Sequence, residues 1–118
     1  MKYNVMKKWV EALRSGKYKQ TESGLANSKG FCCLGVLCEV AIKDKTYLSK
    51  VVTDTPLKTI TYNDLASCLP MEVMEYSGMK NNNGDYSFKR KTLMYLNDTR
   101  RYSFKRIADV IENNWKKL

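Results

Sequence analysis

Apolar side chains recur at helical spacing at both ends of this chain, while the middle is built from shorter, less regular segments. In residues 4–14, Val5, Met6, Trp9, Val10 and Leu13 share one side and lysines and Glu11 the other, which predicts an amphipathic helix. Asn4 is placed to cap its start, and Gly16 to stop it. At the other end, Phe104, Ile107, Ala108, Val110, Ile111 and Trp115 form a second apolar face behind Ser103. Ser103 is a good N-cap for a last helix, and Lys116 and Lys117 complement the negative end of its dipole.

Between these helices lies the most apolar run, Phe31-Cys32-Cys33-Leu34-Gly35-Val36-Leu37-Cys38. From Cys32 to about Lys43, Cys33, Leu37, Val40 and Ala41 occupy one face, and Leu34, Cys38 and Ile42 the adjoining stripe. Apolar residues on nearly all sides predict a central buried helix. Gly35 inside it costs about 1 kcal/mol of helix propensity relative to alanine, a cost that close approach by another element would offset. A central strand over residues 31–38 is the alternative, since short apolar runs suit either. Before this run, Lys17 to Thr21 suit an exposed strand. The turns at Glu22-Ser23-Gly24 and Asn27-Ser28-Lys29-Gly30 predict a small hairpin anchored by Leu25.

After it, Lys50–Thr53 and Lys58–Tyr62 carry β-branched residues suited to short strands, with Asp54-Thr55-Pro56 as the turn. Asn63-Asp64 begin a turn or a short helical segment towards Cys68. Pro70 opens a short helix from Met71 to Ser77, which Gly78 closes. The run Asn81-Asn82-Asn83-Gly84-Asp85 is the strongest breaker. Tyr86 and Phe88 then enter a strand that leads to a short helix from Lys91 to Leu96. The expected fold is α+β, a helix-dominated single compact domain over residues 1–118 with a small antiparallel β-sheet or hairpin.

Composition narrows the chemistry. The 118 residues have 43% hydrophobic content, a net charge of +9 and no histidine, so a hydrolase triad and a histidine general base are excluded. Zinc would need all four thiolates, from Cys32, Cys33, Cys38 and Cys68, and adjacent Cys32 and Cys33 point in divergent directions. No metal site and no cofactor are therefore expected, and the cysteines read as reduced, buried small hydrophobes. No apolar run is long enough to span a bilayer, and no secretory signal follows the first lysines, so a reducing cytoplasm and no membrane are expected. The acid pairs Glu72 with Glu75 and Asp109 with Glu112 are spaced like helix surfaces rather than paired catalytic carboxylates. No catalytic residue is assigned.

The charge is unevenly placed: residues 1–20 carry +5, residues 21–79 carry −2 and residues 80–118 carry +6. If the two ends meet in space, their fields merge into one attractive to phosphates. Two polar constellations lie in these parts. Arg14, Lys17, Tyr18 and Gln20 run from the end of the first helix, and Asn97, Asp98, Arg100, Arg101 and Tyr102 precede the last one. Each also has a plain structural reading, as a dipole-satisfying helix end and as an interhelical turn. A helix-turn-helix reader over residues 92–118 is disfavoured by its seven-residue, mainly polar connection.

The blocks Trp9, Ala12-Leu13-Arg14-Ser15-Gly16-Lys17-Tyr18-Lys19-Gln20 and Gly30-Phe31-Cys32-Cys33-Leu34-Gly35-Val36-Leu37-Cys38-Glu39 resemble a family of small, mostly uncharacterised accessory proteins of tailed bacteriophages with a CCLGVL block. Leu69-Pro70, Leu96-Asn97-Asp98 and Ser103-Phe104 with Ile107-Ala108 fit the same family. The resemblance implies a phage protein made in the host bacterial cytoplasm, and it supplies no catalytic residues to carry over. Phage accessory proteins commonly disable host defence. Joined to the cationic ends, this favours an anti-defence sponge over an enzyme, one that sequesters a nucleotide-derived immune signal such as a cyclic oligonucleotide or an ADP-ribose derivative. Arg14, Lys17, Arg100 and Arg101 would hold phosphates, Tyr18 or Tyr102 would stack on a base, and Gln20, Asn97 and Asp98 would orient base or ribose. A homo-oligomer is expected, since a subunit interface deepens a pocket. The alternative is a nucleic-acid-binding or host-protein-binding module that modulates transcription or replication, and nonspecific nucleic acid is a further expected partner.

Overall fold

Trp9 is wholly buried, and its indole Nε1 donates to the Cys33 carbonyl at 2.9 Å. This bond joins the two elements that organise the core. Helix α1 spans Tyr3–Arg14 and buries Val5, Met6, Trp9, Val10 and Leu13, the face expected from spacing. Helix α2 spans Cys33–Lys43, with every residue from Cys33 to Cys38 buried. The buried helix expected for this run forms, and the central strand does not. In this computed structural model, residues 1–87 and 91–118 are described.

The remaining elements close around this pair. Strands β1 (Ala26–Asn27) and β2 (Gly30–Phe31) form the expected hairpin, and Leu25 just before it is fully buried. Strands β3 (Lys50–Val52) and β4 (Ile60–Tyr62) extend it into one antiparallel sheet of order β2-β1-β4-β3. Helix α3 (Met71–Ser77) starts behind Pro70 and stops at Gly78, whose φ of 72° is left-handed. Strands β5 (Asp85–Ser87) and β6 (Lys91–Thr92) form a second hairpin, and helix α4 (Leu93–Asp98) follows with Thr92 as its cap. Helix α5 (Phe104–Asn114) starts behind Ser103, whose hydroxyl accepts from the Arg106 amide, and a 3₁₀ turn, Trp115–Lys117, ends the described chain. α5 packs along α1 and completes one shared core. The fold is α+β. No helix among the described residues is long and apolar enough to cross a membrane.

Several local expectations change. Asn4 lies inside α1, and the N-cap is Lys2, which makes no side-chain cap bond. Lys17 to Thr21 form no strand of their own. They run extended beside β2 through bonds from the Phe31 amide to the Lys19 carbonyl and from the Thr21 amide to the Phe31 carbonyl. Asn63 and Asp64 form a turn with positive φ at both residues rather than a helical segment. Phe88, expected in a strand, lies outside the described residues.

Gly35 has the close neighbour its presence implied. A Cβ there would overlap the Leu25 carbonyl oxygen, which already accepts from the Cys32 amide at 2.9 Å. Main chain presses on main chain at this point, so neither partner can turn aside. Gly35→Ala is therefore expected to lower stability by about 1–3 kcal/mol, as overpacking does, despite alanine's better helix propensity. Equilibrium urea unfolding of the two proteins checks this, and an unchanged or raised midpoint would contradict the contact.

Candidate functional site

The two polar constellations meet in space, but through bonds that the fold itself uses. Asn97 is wholly buried at the end of α4. Its Oδ1 accepts from Gln20 Nε2 at 2.9 Å and from the Cys33 amide at 3.2 Å. Its Nδ2 donates to the Thr21 carbonyl and to Asp98 Oδ1, each at 2.8 Å. Gln20 is engaged as completely: Nε2 also donates to the Tyr102 carbonyl at 2.7 Å, and Oε1 accepts from the Phe104 amide at 3.1 Å. Both amides thus have their donors and acceptors occupied within the chain. Gln20, Asn97 and Asp98, read as ligand-orienting residues, are placed here as a clamp between segments.

The cationic members are spread over separate places. Arg14 reaches α5, where it binds Asp109 at 2.7 Å and Glu112 at 3.1 Å. Hydrogen bonding to Glu112 first, and then to Asp109, raises its already high pKa. Lys17 and Tyr18 border a small groove of about 230 Å³ shared with Lys8, Lys43 and Asp44. The Tyr18 ring meets Phe31 edge-on at 5.3 Å. Arg101 has positive φ and its Nε lies 3.5 Å from Glu22, an exposed pair. Tyr102 is covered by the Arg106 guanidinium at 3.7 Å from the ring centroid, with Arg100 at 5.7 Å. Of the nine residues named, Arg100 and Arg101 are exposed side by side, next to the partly buried Tyr102.

A larger feature lies elsewhere on the surface. A cavity of about 730 Å³ is bordered by Lys80, Lys91, Lys116 and Lys117, with Tyr86, Asn81 and Asp85. Three elements supply it: the loop after α3, the β5–β6 hairpin, and the 3₁₀ turn after α5. Asn81 shapes the entry to the hairpin, since its Oδ1 accepts from the Asp85 amide at 2.7 Å and its Nδ2 donates to the Asp85 carbonyl at 3.1 Å. The Asp85 carboxylate accepts from the Ser87 amide. Lys80 is held by the Lys116 carbonyl at 3.2 Å. Met1 and Leu118 meet alongside, the Met1 nitrogen donating to the Leu118 carbonyl oxygen at 2.7 Å. The two cationic ends of the chain therefore do come together. Burial, and then the nearby Tyr102, raise the Tyr86 phenol pKa. Sequence reading registered the +6 charge of residues 80–118 but assigned Lys116 and Lys117 to a helix dipole. Lysines from three distant segments carry no local motif to reveal their convergence.

The cysteines sit apart from these features. Cys32, Cys33 and Cys38 are buried and Cys68 is half-buried, all unbridged. Burial pushes the Cys32 thiol up to about 11, and the Cys33 and Cys38 thiols well above the ordinary value. Cys33 Sγ donates to the Leu93 carbonyl at 3.6 Å. These are protonated core groups, poor as nucleophiles or metal ligands. Among the described residues no cluster of three or more metal-ligating side chains occurs.

Residues 1–115 match the model of a family described as "Domain of unknown function (DUF8296)", and the chain belongs to that family. No curated protein and no solved structure matches the chain significantly.

Two outcomes follow from this geometry. Asn97→Asp keeps the shape but aims a carboxylate at the Thr21 carbonyl and at Asp98, so the folded state favours its protonated form. The variant is expected to lose at least about 2 kcal/mol at pH 7, the cost of buried polar groups left unmatched, and to recover part of it as pH falls through the carboxylate range. Chemical unfolding at pH 4.5 and pH 7.5 checks the sign, and a pH-independent loss would contradict the donor assignment. With a disulfide reagent at neutral pH, the native protein is expected to react rapidly at Cys68 alone and at all four cysteines once denatured. Rapid native labelling of Cys32 would show that α2 is not buried as described.

Proposed function

We propose that this protein is a tailed-bacteriophage accessory protein that acts in the host bacterial cytoplasm, where it binds and sequesters a nucleotide-derived immune signal. The observation that supports this reading is the lysine-bordered cavity: four cations and one carboxylate around about 730 Å³. Phosphate groups are bound by converging cations and hydrogen-bond donors, and ligand cavities commonly hold about 300–1,000 Å³. Tyr86 offers a ring for a base, and Asn81 and Asn114 border the same space. The reading moves the phosphate-holding role from Arg14, which two carboxylates already engage, to Lys80, Lys91, Lys116 and Lys117. Arg100 and Arg101 are not among the residues that border the cavity.

Binding without turnover fits the same residues. The thiols of α2 are held protonated, Asp109 and Glu112 are engaged by Arg14, and the Glu39 carboxylate accepts from Lys50 at 3.0 Å and from the Tyr62 hydroxyl at 2.7 Å. None of these groups faces the lysine cavity as a free base.

A thermal-shift and mass-spectrometric screen against cyclic oligonucleotides and ADP-ribose derivatives tests the reading. The expected result is one tight ligand, recovered intact when the protein is denatured. Lys91→Ala and Lys117→Ala should each weaken it by about tenfold, the scale of one charge-assisted bond, while Lys17→Ala changes it less than about twofold. Affinity should fall only modestly with salt, whereas a nucleic-acid binder loses affinity steeply in proportion to the phosphates contacted. Absence of binding to every nucleotide tested, or dependence on Lys17 rather than the cavity lysines, would overturn the proposal.

A further inference from the structure

Beside its lysines, the cavity is bordered by Asn81, Asp85 and Asn114, and the bonding capacity these three have left is of one kind. Asn81 is fully engaged, its Oδ1 and Nδ2 closing on the main chain of Asp85. Asp85 engages one carboxylate oxygen, Oδ1, which accepts from the Ser87 amide at 3.0 Å. No described residue donates to its Oδ2. Among the described residues Asp85 also enters no ion pair, although four lysines border the same space. Asn114 donates from Nδ2 to the Val110 carbonyl at 2.8 Å, and no described residue bonds its Oδ1. Both residues are partly buried. Two oxygen acceptors therefore stand open among the cations.

The fold sets acceptors and cations on the same two walls. Strand β5, which begins with Asp85, packs against the 3₁₀ turn that follows Asn114. Lys91 lies opposite Ser87 across the hairpin, and Lys80 is held at the Lys116 carbonyl. Phosphate cannot use the acceptors: a carboxylate oxygen repels it, and an amide oxygen has no proton to donate to it. A ligand matched to the whole cavity thus presents phosphates to the lysines and O–H or N–H donors to Asp85 and Asn114. A ribose with both ring hydroxyls free carries two such donors on adjacent carbons. In dinucleotide sites a carboxylate commonly binds ribose hydroxyls in this way, beside the bound diphosphate.

The two ligand classes named above differ in this group. Closing a cyclic oligonucleotide takes up one ribose hydroxyl at every linkage, whereas an ADP-ribose derivative can keep the pair and joins its phosphates in one diphosphate. We infer that Asp85, with Asn114, reads the ribose diol of an ADP-ribose-type diphosphate, and that this class rather than a cyclic oligonucleotide is the ligand of the lysine cavity. The inference rests on the nucleotide-binding reading of that cavity and narrows it.

Isothermal titration of the full chain and of Asp85→Asn with pyrophosphate, ADP-ribose, cyclic di-AMP and cyclic di-GMP tests this. Asparagine keeps the oxygen that the Ser87 amide needs, so the thermal midpoint of the variant should be unchanged. ADP-ribose is expected to bind the unmodified chain at least about tenfold more tightly than either cyclic dinucleotide, and Asp85→Asn about tenfold more weakly. Pyrophosphate should bind Asp85→Asn as tightly or more tightly, because a negative charge has left a space bordered by lysines. These opposite signs separate diol reading from a general electrostatic role, which would tighten every ligand, and from a structural one, which would weaken every ligand. Either uniform result would overturn the diol assignment. So would tighter binding of a cyclic dinucleotide than of ADP-ribose, or a loss on Asp85→Asn confined to cyclic di-GMP, which would assign Asp85 to a guanine edge; both outcomes leave the nucleotide-binding reading standing. Failure of every nucleotide to bind would overturn the two together.

Discussion

The fold depends on one buried carboxamide. Asn97 sits where water does not reach, and an amide left unbonded there costs at least about 2 kcal/mol. Its four bonds run to residues 20, 21, 33 and 98, so satisfying it fixes three chain segments relative to one another. Helix α2 needs this help most. It is buried along its whole first half, and the open donors of its first turn must be met by protein. Asn97 meets the Cys33 amide, and the Cys32 sulfur accepts weakly from the Gly35 amide at 3.4 Å. Gln20 extends the same clamp to α5 by accepting from Phe104, the first residue of that helix. Two helix starts are thus completed by side chains from distant parts of the sequence.

What could be read in advance follows from the range of the forces involved. Helices α1 and α5, the stop at Gly78 and the cap at Ser103 are local matters of periodicity and backbone geometry, and each is legible within a few residues. The need for close approach at Gly35 was legible too, though not the identity of Leu25 as the neighbour. The clamp was not. Gln20 and Asn97 are 77 positions apart, and a polar residue in a turn-rich segment looks the same whether it faces a ligand or a neighbouring helix. Strands of two or three residues are equally opaque, because their stability comes from partners across the sheet rather than from their own pattern. The segment Lys17–Thr21 lies extended because β2 holds it, not because it prefers to.

The same distinction separates the core from the candidate site. Cysteine is small enough to let α2 pass close to α1 and to the main chain at Leu25, and it needs no strong hydrogen-bond partner there. Three thiols side by side are therefore a packing solution, and burial holds them protonated. Chemical variety in the core does not imply chemistry. The cavity beyond α5 has the opposite character. Its walls come from loops and chain ends that the core positions but does not enclose.

Where the acids go decides what the cations can do. Asp44 is bound to Lys8, Glu39 to Lys50, Asp54 to Lys58, Glu22 to Arg101, and Asp109 and Glu112 to Arg14. Except for Lys50 with the partly buried Glu39, these pairs are open to solvent and add little to stability. Together, however, they neutralise Lys8 and Arg14 of α1, Lys50 and Lys58 by the sheet, and Arg101. No ion pair among the described residues reaches Lys80, Lys91, Lys116 or Lys117. Four like charges around one cavity repel one another, and salt relieves this only in part at separations within a Debye length of about 8–10 Å. Asp85 offsets one of them. An anion with two or more phosphates, as in the ligand proposed above, would relieve the rest, so the charge arrangement that costs the fold stability is also what favours that proposal.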